Sequence, residues 1–324
     1  MKKKNTKKRT SYQIITQTIV DELKKGNIPW KKPWKIERPR NIRGSFYKGI
    51  NLLLLSMKPY SCPVWATFLQ IKQKGGKVKK GEKGSFVVFK KAYHVLKIPE
   101  EKIKQLGLTQ ERIMDLQREI NKYGEIVSME DEDLKKEIEQ HVITVWTDRL
   151  YTVFNLEQTT LDIDKYWKPA TSSKVNPVEK AENIINNMPQ KPPIYHRGQR
   201  AYYDPQEDIV VIPHQKTFKS TRGYYETIFH ELVHSTGHPK RLNRKSLTTA
   251  TRRRNSKEYS LEELVAVIGS AFLCAEAGIK PDFKNVAAYC KGWIKVLQND
   301  QKIIFKAASM AQKAVDFILN KTKN

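Results

Sequence analysis

The sequence predicts an α+β fold: an N-terminal α+β domain with a helical insertion, followed by a mostly helical C-terminal domain with a small β-sheet. Three observations predict it. Apolar residues recur at helical spacing at both ends of the chain, the β-rich stretch VITVWTDRLYTVFN occupies residues 142–155, and a polar stretch without periodicity follows at 156–177. A chain of 324 residues is long enough for two domains, each with its own core.

The N-terminal domain is predicted at residues 11–155, after a basic, disordered tail at 1–10. Its first helix begins at Ser11 and ends before Gly26, because apolar residues recur at four-residue spacing between them. The later elements are predicted, in order, as a helix at 64–74, a strand–turn–strand unit in KVKKGEKGSFVVFKK at 77–91, an acidic helical insertion at 98–141 and the strand at 142–155.

The C-terminal domain is predicted at residues 178–324, after a linker at 156–177. Two short strands in AYYDPQEDIVVIP are joined by a turn at DPQED, and the next helix starts near Gly223 and carries the motif HELVH. The other helices are predicted at 178–188, 261–277, 283–297 and 303–319.

The charge of the chain is strongly positive and unevenly distributed. The formal net charge is +26, and residues 1–97 contain 25 Lys or Arg against 4 acids, a net of +21. Such an excess attracts nucleic acid or an anionic surface.

A membrane-spanning segment is not predicted, because the densest apolar run, INLLLL at 50–55, is far shorter than the roughly 20 residues required. Three cysteines without a CxxC pair indicate reduced thiols and a cytoplasmic location.

A two-histidine motif, HELVH, lies at residues 230–234. On an α-helix this spacing places His230 and His234 on one face, within reach of a single metal ion. Glu231 lies one residue further round and can take a proton from a water molecule at such a site, as in zinc peptidases. The competing interpretation, an ordinary helix with two hydrogen-bonded histidines, is disfavoured because the chain has only 7 histidines.

A catalytic zinc site needs a third protein ligand. Three residues are open as this ligand: His238, and Glu262 and Glu263 in the apolar helix YSLEELVAVIGSAF. Glu263 is preferred because it shares a helix face with inward-facing residues, and a buried carboxylate is costly unless it is paired or bound to metal. Glu262 is predicted to face solvent. His238 is the alternative ligand, and with Tyr259 it is a candidate for stabilising an oxyanion.

Single-stranded nucleic acid is typically held by a basic groove, with bases stacked on aromatic rings. IPWKKPWKIERPRNIRGSFYKGIN and the lysine-rich loop near residue 80 provide both residue types. We expect only one or two of the aromatic residues to stack. The candidates for stacking are Trp34, Phe46, Tyr47 and Trp65. The candidates for phosphate contacts are Lys31, Lys32, Arg38, Arg40, Arg43, Lys48, Lys77, Lys79, Lys80 and Lys83.

Several motifs resemble, in the right order, those of ArdC-type antirestriction proteins. FHELVHSTGHPKRLNR followed by EELVAVIGSAFLCAEAGI is similar to the zincin-type metallopeptidase domain of that family. IPWKKPW, YKGINLLLL, GGKVKKGEKG, FVVFKK and DRLYTVFNLEQT resemble the DNA-binding domain that precedes it. The resemblance covers residues 13–319 apart from the acidic insertion.

The resemblance implies an N-terminal domain that binds DNA, especially single-stranded DNA, with duplex DNA as a further partner. It also implies a gluzincin-like peptidase site in which His230, His234 and Glu263 hold one zinc ion (Zn2+) or another divalent metal, with Glu231 as the catalytic carboxylate. Such proteins of mobile elements protect incoming conjugative DNA from host restriction, and the protein or peptide substrate is unidentified. The family often reads EELVAE where this chain has Val267, so a role for that last acid does not carry over.

Two other functions are compatible with the sequence. A non-catalytic DNA-binding shield would keep the metal site for structure alone, and an RNA-binding protein would prefer RNA to single-stranded DNA. The intact Glu231 favours the peptidase, since a purely structural metal site has no use for that carboxylate.

Overall fold

The computed structural model describes residues 9–30, 37–168, 176–250, 256–279 and 286–321. Its helices are α1 Ser11–Lys24, α2 Gly49–Ser56, α3 Phe68–Gln73, α4 Glu100–Gln105, α5 Gln110–Tyr123, α6 Glu132–Glu139, α7 Pro177–Asn186, α8 Thr221–Ser235, α9 Lys245–Ala250, α10 Lys257–Ala277, α11 Val286–Asn299 and α12 Ile303–Ile318. Its strands are β1 Arg40–Asn41, β2 Val64–Thr67, β3 Ser85–Leu96, β4 Val142–Asn155, β5 Ile194–His196, β6 Tyr202–Asp204 and β7 Ile209–Ile212. The α+β fold class is confirmed.

The chain divides into two compact units, a main unit of residues 1–87 and 151–324 and an insertion unit of residues 88–150. The insertion unit contains α4, α5, α6 and the outer parts of β3 and β4. Its apolar side chains form a separate core around Leu96, Leu116, Ile120, Ile126 and Ile138. None of the described helices combines the length and hydropathy that a membrane-spanning segment requires.

A four-stranded sheet in the order β1-β2-β4-β3 separates two hydrophobic clusters. β1 is parallel to β2, and β2 is antiparallel to β4. Because successive side chains of a strand point to opposite faces, Trp65 packs in one cluster while Val64 and Ala66 pack in the other. Leu156 and Trp167, from the stretch predicted as a linker, belong to the cluster of Val64.

The first and last helices of the chain pack together within the main unit. α1 contacts α11, and α2 contacts α12. The Thr16 hydroxyl donates a hydrogen bond to the carbonyl of Gln301 at 2.7 Å, and the Gly49 N–H donates to Oε1 of Gln312 at 3.2 Å. The N-terminal helices therefore complete the hydrophobic core of the C-terminal helical layer.

Local sequence signals predicted most elements, but β1, β5 and α9 were not predicted, and other segments differ from their predictions. Residues 64–74, predicted as one helix, form β2 and then α3. Thr67 and Gln70 make a reciprocal capping box that starts α3, which fixes the boundary between them. KVKK is not a strand, since Val78 makes only an isolated bridge with Thr159. INLLLL lies in α2, which the sequence analysis did not assign.

The C-terminal half brings two helices into close contact. A three-stranded sheet in the order β5-β7-β6 packs on α8, and α10 packs on both α8 and α12. A Cβ atom at Gly269 of α10 would lie 2.8 Å from Cγ2 of Val233 in α8, which is closer than real Cβ contacts. The glycine therefore permits the close approach of α10 to the helix that carries HELVH.

We expect Gly269→Ala to lower the free energy of unfolding by about 1–3 kcal/mol, because the added methyl group overpacks against Val233. Chemical denaturation measures this change. The matched control is Gly292→Ala in α11, where a Cβ atom meets nothing within 4 Å. That substitution should stabilise the protein by up to about 1 kcal/mol, because alanine loses less conformational entropy in a helix. Equal effects of the two changes would contradict a close contact at Gly269.

Candidate metal centre

Helix α8 places the two histidines of HELVH side by side. The Ser220 hydroxyl caps the helix by accepting a hydrogen bond from the Gly223 N–H at 3.1 Å, and Phe229 anchors the helix in the core. The Nε2 atoms of His230 and His234 lie 3.1 Å apart. Two nitrogens bound tetrahedrally to one zinc at about 2.0 Å would be about 3.3 Å apart. The spacing of the imidazoles therefore suits a single ion.

Glu263 of α10 completes a group of three converging side chains. Its Oε2 atom lies 3.6 Å from Nε2 of His230, and its Oε1 atom lies 3.6 Å from Nε2 of His234. The three ligand atoms lie within 4.8 Å of one another. Burial alone would raise the pKa of Glu263, but the neighbouring side chains of His230, His234 and Tyr259 lower it. An ionised carboxylate and two imidazole nitrogens form a donor set that fits a divalent metal.

Glu262, the neighbour of Glu263, orients His234. Its Oε1 atom lies 3.2 Å from Nδ1 of His234. Since an ionised carboxylate can only accept, Nδ1 carries a proton, and in the neutral imidazole the lone pair therefore lies on Nε2, which faces Glu263 and His230. Burial alone would lower the pKa of His234, but the hydrogen bond to Glu262 raises it. A carboxylate in this position commonly orients a metal-binding imidazole.

The prediction that Glu262 faces solvent is wrong, because its side chain is only 2% exposed. Arg244 donates from Nε to Oε2 at 3.1 Å and from Nη2 to Oε1 at 2.5 Å, and the Ser246 hydroxyl donates to Oε2 at 2.6 Å. Burial alone would raise the pKa of Glu262, but hydrogen bonds from His234 and Arg244 lower it to about 2. The acid that is fully buried is therefore the one that pairs with an arginine.

His238 lies apart from the three converging side chains. Its Nδ1 atom is 3.8 Å from Oδ2 of Asp208, and it accepts a hydrogen bond from the Lys240 N–H at 3.2 Å. Asp208 is in turn held by Arg241, whose Nη1 donates to Oδ2 at 3.2 Å. Within the described part of the chain, the converging group contains Glu263 and lacks His238. The geometry therefore favours Glu263 as the third ligand.

The aromatic residues predicted to stack on bases lie in different environments. Trp65 is 2% exposed and Tyr47 is 7% exposed, and both belong to one core cluster. These two predictions are wrong, because a ring enclosed by other side chains has no face to offer to a base. Phe46 is 55% exposed. Three predicted residues of this loop, Lys31, Lys32 and Trp34, lie outside the described residues.

The basic residues predicted to contact phosphates divide into two groups. Arg38 donates to the carbonyl of Tyr47 at 3.1 Å and to Oε1 of Gln312 at 3.0 Å, and burial lowers its pKa. Arg40 donates to the carbonyl of Tyr166 at 3.1 Å. These two arginines hold the fold together. The exposed members are Arg43, Lys48, Lys77, Lys79, Lys80 and Lys83.

Two known domain families match successive parts of the chain. Residues 9–154 match the N-terminal domain of anti-restriction factor ArdC, and residues 179–310 match a zincin-like metallopeptidase. The metal-free crystal structure of the antirestriction ArdC protein from the R388 plasmid is 32% identical, with a TM-score of 0.66, and the match covers 95% of this chain and 96% of that one. The chain belongs to the ArdC antirestriction family. The resemblance predicted from its motifs is thereby confirmed.

Other relatives of this ArdC-family chain differ in length. The Mn(II)-bound structure of the R388 ArdC protein is 31% identical, with a TM-score of 0.67, over 98% of this chain and 99% of that one. A DNA primase TraC of Escherichia coli is 33% identical over 96% of this chain, which spans only 27% of the primase. The uncharacterized protein y4eC of Sinorhizobium fredii (strain NBRC 101917 / NGR234) is 29% identical over 95% of this chain and 91% of its own length.

Proposed function

We propose that this ArdC-family chain is a metal-dependent peptidase joined to a domain that binds single-stranded DNA. In the cytoplasm it would protect the incoming DNA of a conjugative mobile element from host restriction. The observation that carries the proposal is the convergence of His230, His234 and Glu263, with Glu231 on the same helix. The match to a zincin-like metallopeptidase over residues 179–310 supports the same activity.

The metal we propose is zinc, one Zn2+ ion per chain, held by His230, His234 and Glu263. Two imidazole nitrogens and one carboxylate oxygen are a typical donor set of catalytic zinc sites, and the manganese in the R388 relative makes Mn2+ the natural competitor. Bound there, the metal would polarise a peptide carbonyl and increase the acidity of a water molecule.

The side chains around this site have separate tasks. Glu262 keeps Nδ1 of His234 protonated, so that Nε2 is available as a ligand. Glu231 is 8% exposed and follows His230 directly, which keeps its carboxylate close to the ligands but outside the group of three. We assign it as the base that takes a proton from the attacking water and passes it to the amine that leaves when the peptide bond breaks.

The DNA-binding half of the proposal is supported by the charge of the N-terminal region and by the match of residues 9–154 to the ArdC N-terminal domain. We expect the affinity for single-stranded DNA to fall steeply with salt, with log K falling by about 0.7 per log unit of salt for each phosphate contacted. Fluorescence anisotropy of a labelled oligonucleotide at several salt concentrations measures this slope. A flat response would contradict DNA binding through charge, and better competition by RNA than by DNA would favour the RNA-binding alternative.

A further inference from the structure

The two long strands of the insertion unit expose side chains on both faces. In β3 and β4, residues 89–91 and 143–147 are exposed. The strands are neighbours in the sheet, and contacts across them show which residues share a face. Nδ1 of His94 lies 3.3 Å from Oγ1 of Thr144, and Nη1 of Arg149 lies 3.5 Å from the hydroxyl of Tyr93. Even-numbered residues therefore share one face, and odd-numbered residues share the other.

We define the odd face by six residues of the insertion unit, which are Phe89, Lys91, Tyr93, Ile143, Val145 and Arg149. The face presents apolar area to solvent, since Phe89 is 48% exposed, Ile143 39% and Val145 36%. Positive charge surrounds the Tyr93 ring: Nζ of Lys91 lies 5.1 Å from its centroid, and Arg149 contacts its hydroxyl. Lys91 and Arg149 are themselves exposed. The six residues thus combine two aromatic rings, two cations and no carboxylate.

The opposite, even face has a different composition. It carries Asp148 as well as Lys90, so its formal charges cancel. Its large exposed aromatic residue is Trp146, at 62% exposure. The charge difference between the faces favours the odd face over the even face for an anionic partner. Aromatic area alone does not distinguish the two faces.

We propose that the odd face binds single-stranded DNA, with bases stacking on Phe89 and Tyr93 and with phosphates next to Lys91 and Arg149. Bases of any sequence can stack on accessible rings, while the backbone requires cations beside them. Phe89 is exposed and Tyr93 is partly exposed, and Lys91 and Arg149 supply the cations. Duplex DNA keeps its bases stacked inside the helix, so exposed rings favour a single strand. This inference rests on the proposed DNA-binding function and assigns it to residues beyond the lysine-rich region that the sequence indicated.

The test uses the full chain and a fluorescein-labelled oligothymidylate, with affinity measured by anisotropy. Phe89→Ala/Tyr93→Ala should bind at least about tenfold more weakly, because each lost stack is worth about 1–3 kcal/mol. Phe89→Leu/Tyr93→Leu keeps most of the apolar area and should also weaken binding, which separates stacking from misfolding. Lys91→Gln/Arg149→Gln should reduce the salt slope by about 1.4, for two lost phosphate contacts. Trp146→Ala on the even face is the matched control and should bind like the wild type.

The outcomes separate this inference from the proposed function. If the wild-type chain binds the oligothymidylate and both double variants of the aromatic residues bind it as tightly as the wild type, the odd face is not the binding site. The proposal that the chain binds DNA would still stand. If the wild-type chain does not bind the oligothymidylate, this inference and the DNA-binding half of the proposed function both fail. If Trp146→Ala lost as much affinity for the oligothymidylate as Phe89→Ala/Tyr93→Ala, the assignment to the odd face would be overturned. Stronger competition by a blunt duplex than by a single strand would overturn stacking.

Discussion

Replacing Glu231 by glutamine is expected to leave the metal bound and to slow peptide hydrolysis by about 10²–10⁴-fold, the usual contribution of a general base. The amide has nearly the same size as the carboxylate, so the packing of α8 should be preserved, but it cannot accept the proton of the attacking water. Hydrolysis of a quenched fluorescent peptide library measures the rate, and metal analysis of the same sample shows that the ligands are intact.

The control for this substitution is Glu258→Gln, an exposed residue on α10 outside the group of converging side chains. It should change neither the rate nor the metal content. An unchanged rate in Glu231→Gln would contradict the assigned base. If protection against restriction also persisted in that variant, the chain would act as a non-catalytic DNA-binding shield.

Replacing Arg244 by methionine is expected to lower the free energy of unfolding by about 3–5 kcal/mol, because it leaves a buried carboxylate without its partner. The Arg244 side chain is 5% exposed and that of Glu262 2% exposed, so water cannot replace the lost hydrogen bonds. Nη2 of Arg244 also donates to the carbonyl of Val233 at 2.8 Å, which ties the guanidinium to α8. Chemical denaturation of the purified variant measures the change.

Two further variants test the cause of this destabilisation. Arg118→Met removes the arginine of a solvent-exposed ion pair with Asp115 and should change the stability by less than about 1 kcal/mol. Arg244→Met/Glu262→Met removes both buried charges and should recover much of the stability, because apolar groups can replace a buried ion pair. A double variant no more stable than Arg244→Met would contradict the explanation by an unpaired charge.

The geometry within α8 was predictable from the sequence, because helical spacing alone places His230 and His234 on one face. The approach of α10 was only partly predictable. Glu262 and Glu263 are adjacent, and their helix is apolar on most sides, so periodicity could not tell which carboxylate is inside. The choice depends on Arg244, which reaches Glu262 from a neighbouring segment through a tertiary contact that no local pattern encodes.

The errors in the N-terminal half have a similar cause. Tyr47 lies in a basic stretch of the sequence and Trp65 follows it in the same N-terminal region, but both rings point into the core between the sheet and α2. β2 has only four residues, too few to show the alternation of a strand against the helical spacing that follows. One local signal was available: Thr67 and Gln70 have the spacing of a capping box, which indicates that a helix begins there.

A metal centre formed by His230, His234 and Glu263 is tested most directly by metal analysis of the purified protein. The wild type should contain about one Zn2+ ion per chain, the number expected for a site of this kind. His238→Ala should keep the metal, because His238 contacts Asp208 and lies outside the converging group. Glu263→Ala should lose it on dialysis. Retention of metal in Glu263→Ala together with its loss in His238→Ala would contradict the ligand set.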